Sequence, residues 1–212
     1  MKGTIVVMPA LNEERTIRDL SIQILKQAID RLIVVDDGST DRTREALDGL
    51  GVDVLVNSDN QGQGSSLLRG IDHALGLGCQ RIVTIDADGQ HDPSDIAALV
   101  AMSRQWPQDI IIGARTRERE SAPPLRRFAN GFADFWISWA SGRPVTDTQS
   151  GLRLYPAELF RQTSIKPRIG HGFVFESEVL IDASTLGFES RSVPITARYN
   201  SDGRESHYRP IT

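Results

Sequence analysis

Arg81-Ile82-Val83-Thr84-Ile85-Asp86-Ala87-Asp88-Gly89-Gln90-His91 decides the fold of this chain. An apolar, β-branched run ends in two carboxylates one residue apart. Such a run reads as a buried strand of a parallel sheet, and the C-terminal ends of such strands are where open α/β sheets receive ligands. In extended chain, residues i and i+2 point the same way, so Asp86 and Asp88 converge. Two carboxylates that close repel unless a proton or a cation lies between them. A hard divalent ion, Mg²⁺ or Mn²⁺, suits these oxygens and leaves room for substrate phosphates. The amide of Gln90 adds a neutral oxygen. The competing reading is a solvated turn, since Asp-Gly pairs are turn formers.

Strand and helix patterns alternate on either side of this stretch. Ile5 to Met8 reads as a strand, and Asn12-Glu13-Glu14 as a capped helix start with Ile17, Leu20, Ile24 and Leu25 at helical spacing. Leu32 to Val35 is a second apolar run, closed by Asp36-Asp37-Gly38-Ser39-Thr40-Asp41; Ser39 or Thr40 is expected to cap a helix ending near Leu50-Gly51. Val52 to Val56 is a third strand. Asn60-Gln61-Gly62-Gln63-Gly64 opens a helix through Leu75, Pro93 to about Arg104 is another, and Asp109 to Ile112 is a short strand. Repeated β–α units of this length predict a doubly wound parallel sheet with right-handed connections. Its ligand edge then carries the acidic loops at Asp37 and Asp86, together with a Gly62/Gly64 helix start that favours anions. That edge suits a nucleotide diphosphate, with an ordinary tight turn the alternative at Gly62.

The chain has 212 residues, 39% of them hydrophobic and 25% charged, which is ordinary for one substantial core or two fused halves. A net charge of −4 supplies no basic field for nucleic acid. Cys79 is the single cysteine and cannot form an internal disulfide. No apolar run approaches the ~20 residues of a membrane span, so membrane contact is expected to be peripheral.

From Gly113 onward the composition changes. Arg115, Arg117, Arg119, Arg126 and Arg127 follow in quick succession, with a solvated loop as the bland reading. Phe128, Phe132, Phe135, Trp136 and Trp139 then fall at helical spacing. They suit either a headgroup boundary or packing on the sheet. Arg153 is expected to project from a short strand and pair with a phosphate, a structural ion pair being the alternative. Glu176 or Glu178 at the start of a helix either complements its dipole or faces the site. Ser192 to Ile195 reads as an edge strand, and 198–210 as a polar loop able to close over a ligand.

Pro9-Ala10-Leu11-Asn12-Glu13-Glu14, Val35 to Asp41, Asp86-Ala87-Asp88-Gly89-Gln90-His91, Gln149-Ser150-Gly151-Leu152-Arg153 and Val193-Pro194-Ile195 occur in this order. As a set they resemble family 2 glycosyltransferases of the GT-A fold, most closely the dolichol-phosphate or polyprenyl-phosphate mannose and glucose synthases. The resemblance implies an α/β GT-A (Rossmann-like) domain over 1–212, with a mostly parallel sheet flanked by helices. Residues 1–113 would form the nucleotide-sugar half, and 114–212 the acceptor half with an interfacial helix at about 125–140. It implies inverting transfer of a hexose from a nucleotide-diphosphate sugar, with Mg²⁺ or Mn²⁺, to a lipid phosphate at the inner face of a membrane. Either a separate membrane subunit or a homo-oligomer would complete such an assembly.

Carried over by position, Pro9, Leu11, Glu13, Asp37, Gly62, Asp86 and Ala87 line the nucleotide-sugar site. Asp86, Asp88 and Gln90 hold the metal. Arg115, Arg127, Ser150, Arg153 and Arg198 contact the acceptor phosphate, and Asp88, Arg115, Arg127, Arg153 and Glu176 carry the chemistry. The 198–209 loop departs from the pattern: its arginines stand where many synthases have an Arg and a Ser-Lys pair. A lipid phosphate is already anionic and needs positioning more than deprotonation, whereas a sugar hydroxyl needs a carboxylate base, for which Glu176 or Glu178 could serve. Transfer to a saccharide hydroxyl in envelope polysaccharide synthesis and a nucleotide-sugar-binding module without turnover are rival readings; a third, a nucleotidyltransferase on a similar sheet, needs a glycine-rich basic loop after the first strand, and Pro9-Ala10-Leu11-Asn12 is not one.

Overall fold

The structure, a computed structural model, describes residues 3–115, 145–163 and 175–196, with Gly131, Trp136, Ser138, Trp139 and Gly142 between them. Strands β1 (Thr4–Ala10), β2 (Arg31–Asp36), β3 (Asp53–Val56), β4 (Arg81–Thr84), β5 (Ile110–Ala114), β6 (Arg153–Pro156) and β7 (Ser190–Pro194) form one sheet in the order β3-β2-β1-β4-β6-β5-β7. Only β6 runs antiparallel to its neighbours β4 and β5; the other pairings are parallel. Helices α1 (Ile17–Leu25), α2 (Gln63–Gly76), α3 (Ile96–Gln105), α4 (Ala157–Gln162) and α5 (Phe175–Thr185) cover its two faces.

Alternate residues of β1 serve opposite cores. Ile5 and Val7 join Ile33, Val35, Leu67, Ile71, Tyr155 and Val179 on one face. Val6 and Met8 join Leu32, Val34, Ile17, Ile24, Ile85 and Leu99 on the other. A strand buried on both sides must be apolar at every position, which is why β1 and β2 read as continuous runs. α2 lies close to the sheet because Gly70 lacks a side chain: a Cβ there would meet Val7 Cγ1 at 2.4 Å.

Two local expectations are corrected. No α-helix forms between Ser39 and Leu50; a 3₁₀ turn at Glu45–Leu47 stands there instead. The cause lies in side chains that compete with helical hydrogen bonds: Asp41 accepts from the amides of Thr43 and Glu14, and the Ser39 hydroxyl accepts from Asn12 N. The first helix starts at Ile17 rather than near Asn12. Asn12 takes a left-handed φ of 56° and receives Thr40 N on its side-chain oxygen, so it clasps the β1 and β2 loops together.

Candidate active site

The C-terminal ends of β1, β2 and β4 open into a cleft of about 380 Å³ lined by Pro9, Ala10, Leu11, Glu13, Asp37, Asn60, Gly62, Gln63, Asp86, Ala87 and Asp88. Parallel strands with short loops deliver these residues to one edge. All seven residues expected on the nucleotide-sugar side line this cleft, and Asp88 lies beside them. Asn60 and Gln63 join the lining; no motif singled them out.

Asp37 is already engaged. Its carboxylate accepts from Asn57 Nδ2 at 2.7 Å, Gln61 N at 3.0 Å and Gly62 N at 2.8 Å, so it shapes the 57–62 loop as well as the cleft wall. Gly62 takes φ 92° at the N-cap of α2, a conformation that glycine adopts without penalty.

Asp86 lies deep in the cleft. Burial, then the neighbouring charge of Asp88 and that of Glu176, push its carboxyl up to about 7; Arg115 and Arg153 act in the opposite sense. About 30% of its side-chain surface still faces the cleft, though the carboxyl sits deep among protein atoms. Gln63 Nε2 donates to its Oδ1 at 2.9 Å. His91 Nε2 lies 3.8 Å from its Oδ2. Burial and the charge of Arg115 hold His91 down at about 4, so it faces Asp86 as a neutral ring, and its Nδ1 has no hydrogen-bond partner among the described residues. The sequence offered no way to place His91 there, because its contact with Asp86 depends on the fold of the 86–91 loop.

The donor set suits a hard divalent ion in an open site. Asp86, raised first by burial and then by the neighbouring charge of Asp88, presents together with Asp88 the negative charge that such an ion neutralises. Among the described residues no three His, Cys, Asp or Glu side chains form a closed cage. Asp86 and Asp88, with the Gln90 amide, are the residues that would hold the ion. Gln90 N donates to Asp88 Oδ1 at 2.9 Å, which curls the loop at this point.

Beyond β5, Arg115 forms a fork with Asp147: Nε to Oδ2 at 2.9 Å and Nη2 to Oδ1 at 2.8 Å. Asp147 adopts a left-handed φ of 55° and is nearly fully buried. Arg153 is not turned outward towards a phosphate. It is fully buried, and its guanidinium donates to three carbonyls: Ser150 O at 2.8 Å, Glu176 O at 3.1 Å and Thr148 O at 2.6 Å. Ser150 is also buried, its hydroxyl without a hydrogen-bond partner. Burial raises the Glu176 carboxyl, with Arg153 opposing. Arg127, Arg198, Phe128, Phe132 and Phe135 lie outside the described residues. Trp136 and Trp139 stack edge to face at 5.7 Å, and both are exposed, Trp139 by 71%.

A doubly wound sheet with an acidic cleft at its switch edge places that cleft where open α/β sheets receive ligands. The chain matches Glycosyl transferase family 2 over residues 5–182 and belongs to that family. It is 34% identical over 197 residues to an uncharacterised protein of Methanocaldococcus jannaschii, covering 92% of this chain and 81% of that protein. It is 29% identical over 214 residues to the UDP-N-acetylglucosamine–dolichyl-phosphate N-acetylglucosaminyltransferase of Methanococcus voltae, covering 92% and 85%. Among solved structures, glucosyl-3-phosphoglycerate synthase from Mycobacterium tuberculosis, in complex with Mn²⁺, UDP and phosphoglyceric acid, superposes with a TM-score of 0.71. That match has 22% identity and covers 95% of this chain and 72% of the other, and it shows a shared fold.

Proposed function

We propose that this glycosyltransferase moves a hexose, with inversion, from a nucleotide-diphosphate sugar to a polyprenyl or dolichyl phosphate. The observation that carries the reading is the cleft itself, where the donor-side residues of three separate loops meet Asp86 and Asp88. The dolichyl-phosphate transferase among the relatives supports the lipid-phosphate acceptor.

In this reading Pro9, Leu11, Glu13, Asp37, Gly62 and Ala87 enclose the nucleotide. Asp86, Asp88 and Gln90 would hold a divalent ion, which would supply positive charge to a departing diphosphate. Arg115, fixed by Asp147, presents positive charge at the border of the two halves, and a lipid phosphate needs that positioning rather than a base. Arg127 and Arg198 are proposed as further phosphate contacts. The exposed pair Trp136 and Trp139 suits the headgroup region of a membrane, and no described helix is long and apolar enough to cross one. Peripheral association at the inner face follows from this reading.

One observation favours a second acceptor. Glu176, raised by burial and close enough to influence Asp86, has the character of a general base for a sugar hydroxyl. Glu176→Gln separates the two. Transfer reduced by roughly 10²-fold or more with donor binding intact supports the hydroxyl acceptor, whereas transfer to polyprenyl phosphate within a few-fold of the native rate supports the phosphate. The overall reading is tested by measuring thermal stabilisation by GDP-, UDP- and dTDP-sugars with and without Mn²⁺. A specific shift is expected for one of them by mass action, and no shift with any of them overturns the proposal.

A further inference from the structure

We propose that the acceptor half of the chain seats the first carboxylate of the donor cleft, and that Gly151 is the positioning residue through which it does so. The inference rests on the donor-site reading above only for its consequence in ligand binding; the contact itself is geometric. β6 runs antiparallel to β4 with Thr84 opposite Arg153, so the turn that enters β6 lies across the end of β4, where Asp86 emerges. Thr84 Oγ1 donates to Gly151 O at 3.0 Å and fixes the two segments together. A Cβ on Gly151 would fall 2.0 Å from Asp86 Oδ2, 2.5 Å from its Cγ and 2.6 Å from its Oδ1. Gly151 is not among the glycines with positive φ. The position therefore needs glycine for room, not for a left-handed backbone.

The turn has little freedom to retreat. Arg153 ties Thr148 O and Ser150 O to Glu176 O on α5, and Ser150 N donates to Asp147 O at 3.1 Å. Asp147 in turn grips Arg115. Asp86 is the softer side of the contact, because its carboxyl is the end of a short side chain held by Gln63. A methyl group at 151 would thus rotate the carboxylate away from Gln63 and out of the donor cleft while the strands stay paired. The same linkage runs in reverse: any shift of the 147–151 turn at the acceptor side is felt at Asp86.

A double-mutant cycle with Gly151→Ala and Asp86→Ala tests this, since independent sites add and coupled ones do not. Gly151→Ala alone is expected to lower the thermal midpoint by roughly 3–8 °C. In the Asp86→Ala background, where the space is vacated, it should lower the midpoint by less than half as much. Calorimetry with Mn²⁺ and UDP, run in parallel with GDP, should show nucleotide affinity at least tenfold weaker in Gly151→Ala. The double variant should bind no more weakly than Asp86→Ala. Equal midpoint losses in the two backgrounds, or native nucleotide affinity in Gly151→Ala, would overturn the proposal. Should the native chain bind neither of these nor dTDP with Mn²⁺, the donor-site reading fails, and the midpoint cycle alone decides the role of Gly151.

Discussion

Asp86 and His91 make opposite demands on pH. The carboxyl of Asp86 is held at about 7 against an ordinary 3.8, so the folded chain keeps a proton there that the unfolded chain gives up. Its contribution to stability is present below about pH 4 and is lost as pH rises to 7. His91, held at about 4 against 6.5, refuses a proton that the unfolded chain accepts, so its contribution is present above about 6.5 and is lost as pH falls towards 4. The two oppose each other between pH 4 and 6.5. Replacing Asp86 by Asn removes one of them. The metal-free variant should exceed the native chain in stability at pH 7, on the order of 1–3 kcal/mol, and match it near pH 4. Thermal midpoints measured at both pH values check this, and equal midpoints at pH 7 would count against the elevated carboxyl. The same proton competes with a bound cation, so Mn²⁺ affinity should rise as pH goes from 6 to 8.

Elements are held in register by a few close approaches. α2 packs on β1 and β2 through Gly70, where a methyl group would lie 2.4 Å from Val7 Cγ1 and 3.0 Å from Val35 Cγ2. Gly70→Ala should cost about 1–3 kcal/mol in chemical denaturation; a neutral outcome would mean that the helix can slide outward freely. The 147–151 turn and α5 are joined by Arg153, whose three carbonyl contacts replace water completely. Arg153→Met removes the guanidinium donors from three buried carbonyls, and a loss of roughly 2–4 kcal/mol is expected. Arg153→Lys, which keeps the charge but not the fork, should recover only part of it. If Arg153 contacts an acceptor phosphate instead, both variants will weaken acceptor binding with little change in unfolding.

For the molecule as a whole, the sheet gathers donor-side loops from β1, β2 and β4, while β6 brings the second half across to the same edge. Asp88→Ala should therefore abolish Mn²⁺-dependent nucleotide stabilisation and slow sugar transfer by roughly 10³-fold, with the midpoint of the unliganded chain almost unmoved. Retained transfer in that variant would remove the metal from the account. The exposed Trp136 and Trp139 predict binding to anionic phospholipid vesicles that weakens severalfold in the double alanine variant, measured by co-sedimentation.

The apolar runs, the alternating β–α spacing and the carboxylates at strand ends were enough to derive a doubly wound sheet and the edge at which the loops of Asp37, Gly62 and Asp86 meet; the other cleft residues came from the family resemblance. Those features depend on local periodicity and on the geometry of parallel strands, which sequence carries directly. The 3₁₀ turn at Glu45–Leu47 was not legible, because local hydrogen bonds to Asp41 and Ser39 outcompete a helix that the pattern allows. The antiparallel entry of β6, the inward turn of Arg153, the neutral His91 beside Asp86 and the space left by Gly151 belong to the tertiary structure alone. The His91 contact depends on the fold of a short loop and the others on which distant segments become neighbours, and burial, not residue type, decides whether an arginine serves a ligand or the backbone around it.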